Sequence, residues 1–149
     1  YMAAISKLPD MRRVFSYHGA EHKTIKCYEM GLPLTVENVR PCTRFHPRCG
    51  TSFLFVVIII SILVGSVIQV GNTLLRMLCH LLLLFPVVAI SYEFNRLVGR
   101  YDNAFTRALT APGMWFQKFT TNEPDDSMIQ CAIAAMEEVI PEQEGADDW

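Results

Sequence analysis

SFLFVVIIISILVGSVIQV spans residues 52–70, and TLLRMLCHLLLLFPVVAISYEF follows at residues 73–94. The first has no charged residue, and the second has only Arg76 near its start and Glu93 near its end. A helix of about 20 apolar residues spans a hydrocarbon layer of about 30 Å, so each stretch is long enough to cross a membrane. A glycine and an asparagine between them signal a turn. The sequence therefore predicts a transmembrane helical hairpin, although a buried hairpin of a soluble protein is built from similar residues.

The composition fits a membrane protein better than a soluble one. Hydrophobic residues make up 51% of the 149 residues, and charged residues make up 19%. The net charge of −2 provides no positive field for a polyanion, so we expect no nucleic-acid partner. Five cysteines form no dense framework, which favours a reducing compartment over a secreted disulfide scaffold. Because the chain begins with Tyr1, we expect a fragment or a processed product.

Basic residues on the two flanks predict the orientation of the hairpin. Arginines precede the first span at Arg40, Arg44 and Arg48, and follow the second span at Arg96, Arg100 and Arg107. By the positive-inside rule, both flanks and both termini of this chain then face the cytoplasm, in a multi-pass protein of the cell membrane. The lipid bilayer is the expected partner. Two spans make a small membrane core, so other membrane proteins or an absent amino-terminal part are expected partners too.

The residues outside the hairpin predict an all-α protein with short cytoplasmic helices on both flanks. Helices are expected over Tyr17 to Met30, over Val36 to Val39 with Thr35 as the N-cap, and over Met128 to Ile140. The resulting organisation is a cytoplasmic helical region at 1–51, the hairpin at 52–94, a second cytoplasmic helical region at 95–140 and an acidic disordered tail at 141–149.

His18-Gly19-Ala20-Glu21-His22 reads H-x-x-E-H, the residue order of one class of zinc hydrolases. Residues four apart lie on one helix face, so His18 and His22 project together, and Glu29 shares that face. Two imidazoles and a carboxylate can bind zinc while leaving a fourth position open for water. Glu21 lies beside them as a candidate general base. Two histidines at this spacing also arise by chance on ordinary helices.

A second group of potential ligands precedes the first span. Cys42, His46 and Cys49 form a C-x3-H-x2-C cluster, whose spacing matches no standard zinc finger. A basic juxtamembrane loop with two ordinary thiols is the alternative interpretation. A hairpin returns its outer ends to one membrane face, so Glu93 could approach His46 and Cys49. The candidate ligands for Zn²⁺ or another divalent metal are therefore His18, His22, His46, Cys49, Glu29 and Glu93.

The second span carries two further polar residues, Arg76 and His80, on one helix face. Polar groups in membrane segments usually face other helices, a cavity or the interface. Arg76 lies close enough to the end of the span to reach water. His80 lies about two turns in, where a contact with another helix and a transport site are both possible explanations.

Several strings together resemble the YqhQ-like family of bacterial membrane proteins. They are FSYHGAEHK at residues 15–23, HPRCGTSF at 46–53, LTAPG at 109–113 and TTNEP at 120–124. The resemblance extends from about Arg13 to Ile140 and matches the carboxy-terminal part of longer members. It implies a predicted metal-dependent enzyme without an established reaction. The site residues that it implies are His18, Glu21, His22, His46 and Cys49.

Three functional hypotheses follow from these residues. The first is a membrane-embedded zinc hydrolase that acts on a peptide, a lipid or a small amide at the cytoplasmic membrane face, with Glu21 as the general base. The second is a non-catalytic scaffold or assembly factor with a structural His/Cys metal site. The third and weaker hypothesis is a transporter component that uses Arg76 and His80.

Overall fold

The computed structural model describes residues 2–68, 70–101 and 103–141. The helices in these ranges are α1 (Met2–Ile5), α2 (Pro9–Glu29), α3 (Val36–Val39), α4 (Gly50–Val67), α5 (Thr73–Arg100), α6 (Ala104–Thr120) and α7 (Asp126–Glu137). No β-strand occurs in the described ranges, so the all-α prediction is confirmed there. The flanking helices α2 and α6 are longer than the short helices expected. The predicted acidic tail lies outside the described residues from position 142 onward.

The chain divides into two compact units. One unit combines Tyr1–His46 with Met114–Trp149, and the other is Pro47–Gly113. We call them the first and the second unit. Residues from both sides of the hairpin thus fold together in the first unit, whereas the sequence analysis describes the two flanks as separate regions.

In the first unit α2 packs against α7 and α3. Proline suits the first helical position, so α2 begins at Pro9, eight residues before the predicted start. It ends where Gly31 adopts a positive φ of 67°, which fits the predicted stop. The buried cluster between these helices consists of Ala20, Cys27, Val39 and Ile129. Burying an isoleucine such as Ile129 contributes about 1.5–3 kcal/mol, so this small cluster stabilises the unit.

Side-chain caps fix the starts of α3 and α7. Thr35 accepts a hydrogen bond from the backbone N–H of Asn38, as its predicted N-cap role requires. Asp125 accepts from the Met128 N–H at 3.0 Å and from the Ser127 hydroxyl at 2.6 Å. These bonds, first that of Ser127 and then that of Met128, hold the pKa of the Asp125 carboxyl below its usual range. The structure therefore starts α7 at Asp126, two residues before the predicted start.

In the second unit α4 and α5 pack together as the predicted hairpin. Asn72, in the predicted turn, caps α5 through the Leu75 N–H at 3.1 Å. A Cβ atom on Gly65 would lie 3.2 Å from Nε2 of His80, so the glycine makes room for the imidazole ring. Nδ1 of His80 lies 2.8 Å from the Arg76 carbonyl oxygen. His80 thus makes the contact with another helix that was one of its two explanations.

Both hairpin helices are long and apolar enough to cross a membrane. Their mean hydropathy is 2.5 for Gly50–Val67 and 2.1 for Thr73–Val98. Only 6% of the apolar stretch of each helix is buried. A core helix of a soluble protein can be equally long and apolar, but it is mostly buried. Large apolar side chains instead remain exposed on both helices, among them Leu54, Ile58, Ile62, Leu63, Leu74, Leu81, Leu82 and Phe85.

Candidate metal site in the first unit

His18 and His22 lie one turn apart on α2, and their rings touch. The ring centroids are 4.3 Å apart in an edge-to-face arrangement. One ligand nitrogen of each ring lies within 4.8 Å of the other. His22 is only 3% exposed, while His18 is half-buried. The predicted pairing of these two imidazoles on one helix face is therefore present in the structure.

Backbone carbonyl groups fix the orientation of both rings. Nδ1 of His18 lies 2.8 Å from the Thr120 oxygen, and Nδ1 of His22 lies 2.6 Å from the Arg44 oxygen. A carbonyl oxygen can only accept, so each Nδ1 carries the hydrogen and donates it. In the neutral ring Nε2 then carries the lone pair that binds a metal. Metal-binding histidines usually have such an outer partner, which sets both the tautomer and the ring orientation.

His46 brings a third imidazole to the pair. Its ring centroid lies 5.8 Å from that of His22, and the residue is 4% exposed. The Gln117 side chain holds its backbone, accepting from the His46 N–H at 2.9 Å and donating to the His46 carbonyl at 2.7 Å. Nε2 lies 3.0 Å from Oε1 of Glu29. Glu29, a predicted ligand, is thus placed as the hydrogen-bonding partner of His46.

Gly19 lets the carbonyl partner of His18 come close. A Cβ atom at this position would overlap the backbone oxygen of Asn122. The Asn122 N–H donates to the Phe15 carbonyl at 2.9 Å, so the segment after α6 crosses α2 at the glycine. This crossing places the Thr120 oxygen against the His18 ring. The glycine of the H-G-A-E-H string therefore has a structural reason.

Charged groups tie down the segment that carries the Arg44 carbonyl. The Lys23 ammonium group has a side chain only 7% exposed, lies 2.8 Å from Oε2 of Glu123 and donates to the Arg40 carbonyl at 2.9 Å. Nε of Arg44 lies 3.8 Å from the other Glu123 oxygen. Desolvating an ammonium group is costly unless it is paired. The buried lysine therefore depends on Glu123, which in turn holds Arg44 near His22.

Residues 1–142 match a family described as protein of unknown function, DUF1385. The chain belongs to the DUF1385 family. It is 40% identical over 141 residues to the uncharacterized protein YqhQ of Bacillus subtilis (strain 168). The match covers 94% of this chain and 44% of that protein, so the chain spans less than half of its length. No solved structure matches the chain.

These matches confirm the YqhQ-like resemblance seen in the sequence strings. That this DUF1385 chain corresponds to the carboxy-terminal part of longer relatives stays a prediction. The descriptions of the family and of its relative name no activity, so the chemistry of the site rests on the residues of this chain.

Glu21 lies on α2, directly before His22 in the sequence. It is exposed and lines a groove of about 390 Å³ between α2 and α7. Apolar side chains dominate the walls of this groove, which include Ile25, Ala132, Ala135, Met136 and Val139. The volume lies in the range of about 300–1,000 Å³ that is typical of ligand pockets. The role of Glu21 as a general base stays a prediction for this DUF1385 chain.

Two predicted ligands belong to the second unit. Sγ of Cys49 caps α4, with the Thr51 N–H at 3.4 Å and Oγ1 of Thr51 at 3.1 Å. Glu93 lies on α5 with an exposed side chain, and its Oε2 is 3.6 Å from Nη1 of Arg96. For both residues the role of metal ligand stays a prediction.

The sequence interpretation missed several residues that shape the site. Gln117, Lys23 and Glu123 hold the backbone around the imidazoles, while Thr120 and Arg44 contribute only carbonyl oxygens. A carbonyl belongs to every residue, so no side-chain pattern could reveal those two. The TTNEP string at 120–124 was the available signal, because it includes both Thr120, whose carbonyl accepts a hydrogen bond from His18, and Glu123.

Proposed function

We propose that this chain is a membrane-anchored metalloprotein whose first unit binds a divalent transition metal through His18, His22 and His46. The observation that carries the proposal is the pair of Nδ1–carbonyl hydrogen bonds of His18 and His22. Both bonds select the tautomer whose Nε2 bears the lone pair. The rings therefore offer ligand atoms that lie close together before any metal arrives.

Zinc fits this donor set best. Imidazole nitrogens are good zinc ligands at about 2.0–2.1 Å, and a tetrahedral site with such bonds separates its nitrogens by about 3.4 Å. One ligand nitrogen of His18 lies within 4.8 Å of one of His22, so the two rings would move closer together when a metal binds. The Glu29–His46 hydrogen bond supplies a carboxylate–histidine pair, the outer arrangement that raises ligand basicity. A histidine that is buried only for packing needs neither neighbouring imidazoles nor a carboxylate partner.

His46 would use Nδ1, because Nε2 is bonded to Glu29. Cys49 follows His46 by three residues and is proposed as an additional ligand from the sequence alone. A thiolate is a strong zinc ligand, so Cys49 would favour a closed site if it bound. Glu93 is not close to His46 in the sequence as Cys49 is, and we give it no role in this proposal.

A hydrolase is the function that we propose for such a metal. Zinc held by three protein ligands supplies an activated water, because it lowers the pKa of that water to about 7. Glu21 would accept a proton, and the apolar groove that it lines would hold the apolar part of a peptide, lipid or small amide. Several residues that line the groove belong to α2, the helix that carries the H-x-x-E-H motif.

Membrane anchoring by α4 and α5 is the other half of the proposal. Their exposed apolar side chains would face lipid, with both flanks on the cytoplasmic side as the arginine distribution predicts. A metal site on the first unit would then act near the cytoplasmic headgroups.

Metal analysis of the purified chain tests the metal site. We expect about one zinc per chain after zinc loading and dialysis, and loss of that zinc in a His18→Ala/His22→Ala double variant. His80→Ala removes a histidine outside this cluster and should keep the metal. Near-zero metal in the wild type and in the double variant alike would remove the proposal.

A structural metal site is the second candidate, favoured by the burial of His22 and His46 at 3% and 4% exposure. Glu21→Gln separates the two candidates. If Glu21 is a general base, Glu21→Gln should keep its fold and metal content. Turnover of amide or ester substrates should then fall by a factor of about 100 or more. A scaffold would instead show no turnover in either form, and chelation would lower its melting temperature.

A further inference from the structure

Three aromatic side chains lie together on the last turns of α6, within the first unit. The ring centroids of Trp115 and Phe119 are 5.2 Å apart, and those of Phe116 and Phe119 are 6.4 Å apart, both in edge-to-face arrangements. Trp115 is 58% exposed, and the two phenylalanines are half-buried. We call these three residues the aromatic patch. Neither the metal site nor the groove uses them.

The opposite side of the same helix faces the interior of the first unit. Gln117 is 0% exposed and holds the backbone of His46 through two hydrogen bonds. Residues two apart in an α-helix point to nearly opposite sides, so the exposure of Trp115 is the counterpart of the burial of Gln117. Packing within the described part of the unit thus leaves most of the tryptophan ring exposed. An exposed aromatic cluster of this kind marks an interaction surface.

The position of the patch in the chain favours lipid as its occupant. Gly113 comes two residues before Trp115 and lies against Ser52, because a Cβ atom on the glycine would be 2.7 Å from Oγ of the serine. Ser52 is in the first turn of α4, where the long stretch without charge begins. Two residues of chain span at most about 7 Å in any conformation. The tryptophan therefore follows directly after a residue that packs at the end of the proposed membrane span.

A positive charge accompanies the aromatic rings. Lys118 is exposed in the last turn of α6. Residues three apart share a helix face, so the lysine projects on the side of Trp115. Tryptophan is enriched where membrane meets water, and helices that lie in this layer combine such rings with lysine or arginine, whose charge is attracted to anionic lipids. The rings and the lysine together therefore match the headgroup layer of an anionic membrane.

We propose that the aromatic patch docks the first unit into the headgroup layer of the membrane, with Trp115 as its anchor. This docking rests on the membrane anchoring by α4 and α5 proposed above. It adds a second contact with lipid, which the first unit makes itself. Because Gln117 binds the His46 backbone from the other side of α6, the docked helix holds the His46 segment close to the membrane surface.

Tryptophan fluorescence of the whole chain in vesicles tests the docking. Trp149→Phe leaves Trp115 as the only tryptophan, and the vesicles consist of phosphatidylcholine and phosphatidylglycerol. Lipids brominated at an acyl carbon near the headgroup quench a ring that lies in the interface. We expect these lipids to quench Trp115 more strongly than lipids brominated near the end of the chain. Acrylamide in the water should quench Trp115 more weakly than it quenches free tryptophan.

A relocated tryptophan provides the matched control. Adding Trp115→Phe and Val14→Trp to the Trp149→Phe protein moves the only tryptophan to α2, at a position that is 55% exposed. Phenylalanine keeps an aromatic ring in the patch, so α6 should fold as before. We expect brominated lipids to leave the tryptophan at position 14 unquenched and acrylamide to quench it fully. Equal quenching by lipid at positions 14 and 115 would overturn the docking.

Flotation of the vesicles separates a failure of docking from a failure of anchoring. If the protein floats with the vesicles but brominated lipids do not quench Trp115, the anchoring stands and the docking is wrong. Protection of Trp115 from acrylamide in that case would mean that a protein surface, such as a second copy of this chain, covers the aromatic patch. If the protein does not float, the anchoring and the docking are both wrong.

Discussion

Gly19 is the residue on which the geometry of His18 depends most directly. The Asn122 carbonyl occupies the space that a Cβ atom would need, and the neighbouring Thr120 carbonyl fixes the imidazole. The atom in conflict belongs to the backbone, so a larger side chain cannot be accommodated by a rotamer change. A glycine between two candidate ligands is therefore part of the site without contributing a donor atom.

Gly19→Ala should destabilise the first unit and weaken metal binding together. Forcing a methyl group into a packed contact costs about 1–3 kcal/mol, and the displaced 120–123 segment should release the His18 ring. Chemical denaturation and zinc titration measure the two effects. Gly50→Ala is the matched control, because a Cβ there meets nothing within 4 Å. If Gly19→Ala is destabilised but binds zinc with unchanged affinity, the crossing of the 120–123 segment over α2 does not shape the proposed metal site.

At the residue scale, the sequence predicted the pairing of His18 with His22 but not what orients them. Pairing follows from a spacing of four on a helix, which is local. The oxygens that orient the rings come from Thr120 and Arg44, which are 102 and 22 residues away from the histidines that they bind. Such partners depend on tertiary packing. Glu29 shares the face of the two histidines as predicted, yet its contact with His46 required the fold.

At the element scale, local signals predicted the helices that begin or end at a clear cap. Thr35, Gly31 and Asn72 mark such ends, and each has its role in the structure. Within the helical region predicted at 95–140, the sequence indicated no bounds for α6, because Pro112 and Gly113 usually interrupt helices. A Cβ on Gly113 would lie 2.7 Å from Oγ of Ser52, so close packing on α4 accounts for the glycine.

Helix α7 allows a pH test of its cap. The hydrogen bonds to Ser127 and Met128 lower the pKa of Asp125 in the folded state, so its stabilisation is present above the usual carboxyl pKa. That stabilisation is lost as the pH falls through the lowered folded-state pKa. Asparagine also caps helices but does not titrate. The stability difference between wild type and Asp125→Asn should therefore be constant at neutral pH and shift against the wild type below about pH 4.

Circular dichroism during denaturation at several pH values measures this difference. Asp10→Asn, at an acidic position in the first turn of α2, serves as the comparison for a carboxylate without an N-cap role. Stability profiles of the wild type and of Asp125→Asn that run parallel down to pH 2 would show that ionisation of Asp125 does not support α7.

At the scale of the whole molecule, the two units show opposite surface chemistry. The first unit pairs its charges, as Lys23 does with Glu123 and Arg40 with Asp126 at 2.7 Å. The helices of the second unit leave most of their apolar side chains exposed. The hydropathy of the two stretches predicted the second unit well, because that signal is local and strong. The joining of both flanks into one unit depends on long-range packing of α2 with α7; the apolar stripe of the helix predicted at 128–140 indicates a packed helix but not its partner.

Lysine substitution distinguishes lipid from water around the hairpin. Ile58 lies near the middle of α4 and is 46% exposed. A lysine at the centre of a membrane helix costs about 2.5–3.5 kcal/mol, whereas a substitution on a water-facing surface usually changes stability by less than about 0.5 kcal/mol. Ile58→Lys should therefore sharply reduce the amount of chain that stays in the membrane fraction after an alkaline wash. Val14→Lys, on the exposed face of α2, should leave that amount unchanged. Equal behaviour of the two variants would mean that the apolar face of α4 does not meet lipid, and the anchoring on which the proposed cytoplasmic-face activity depends would fail with it.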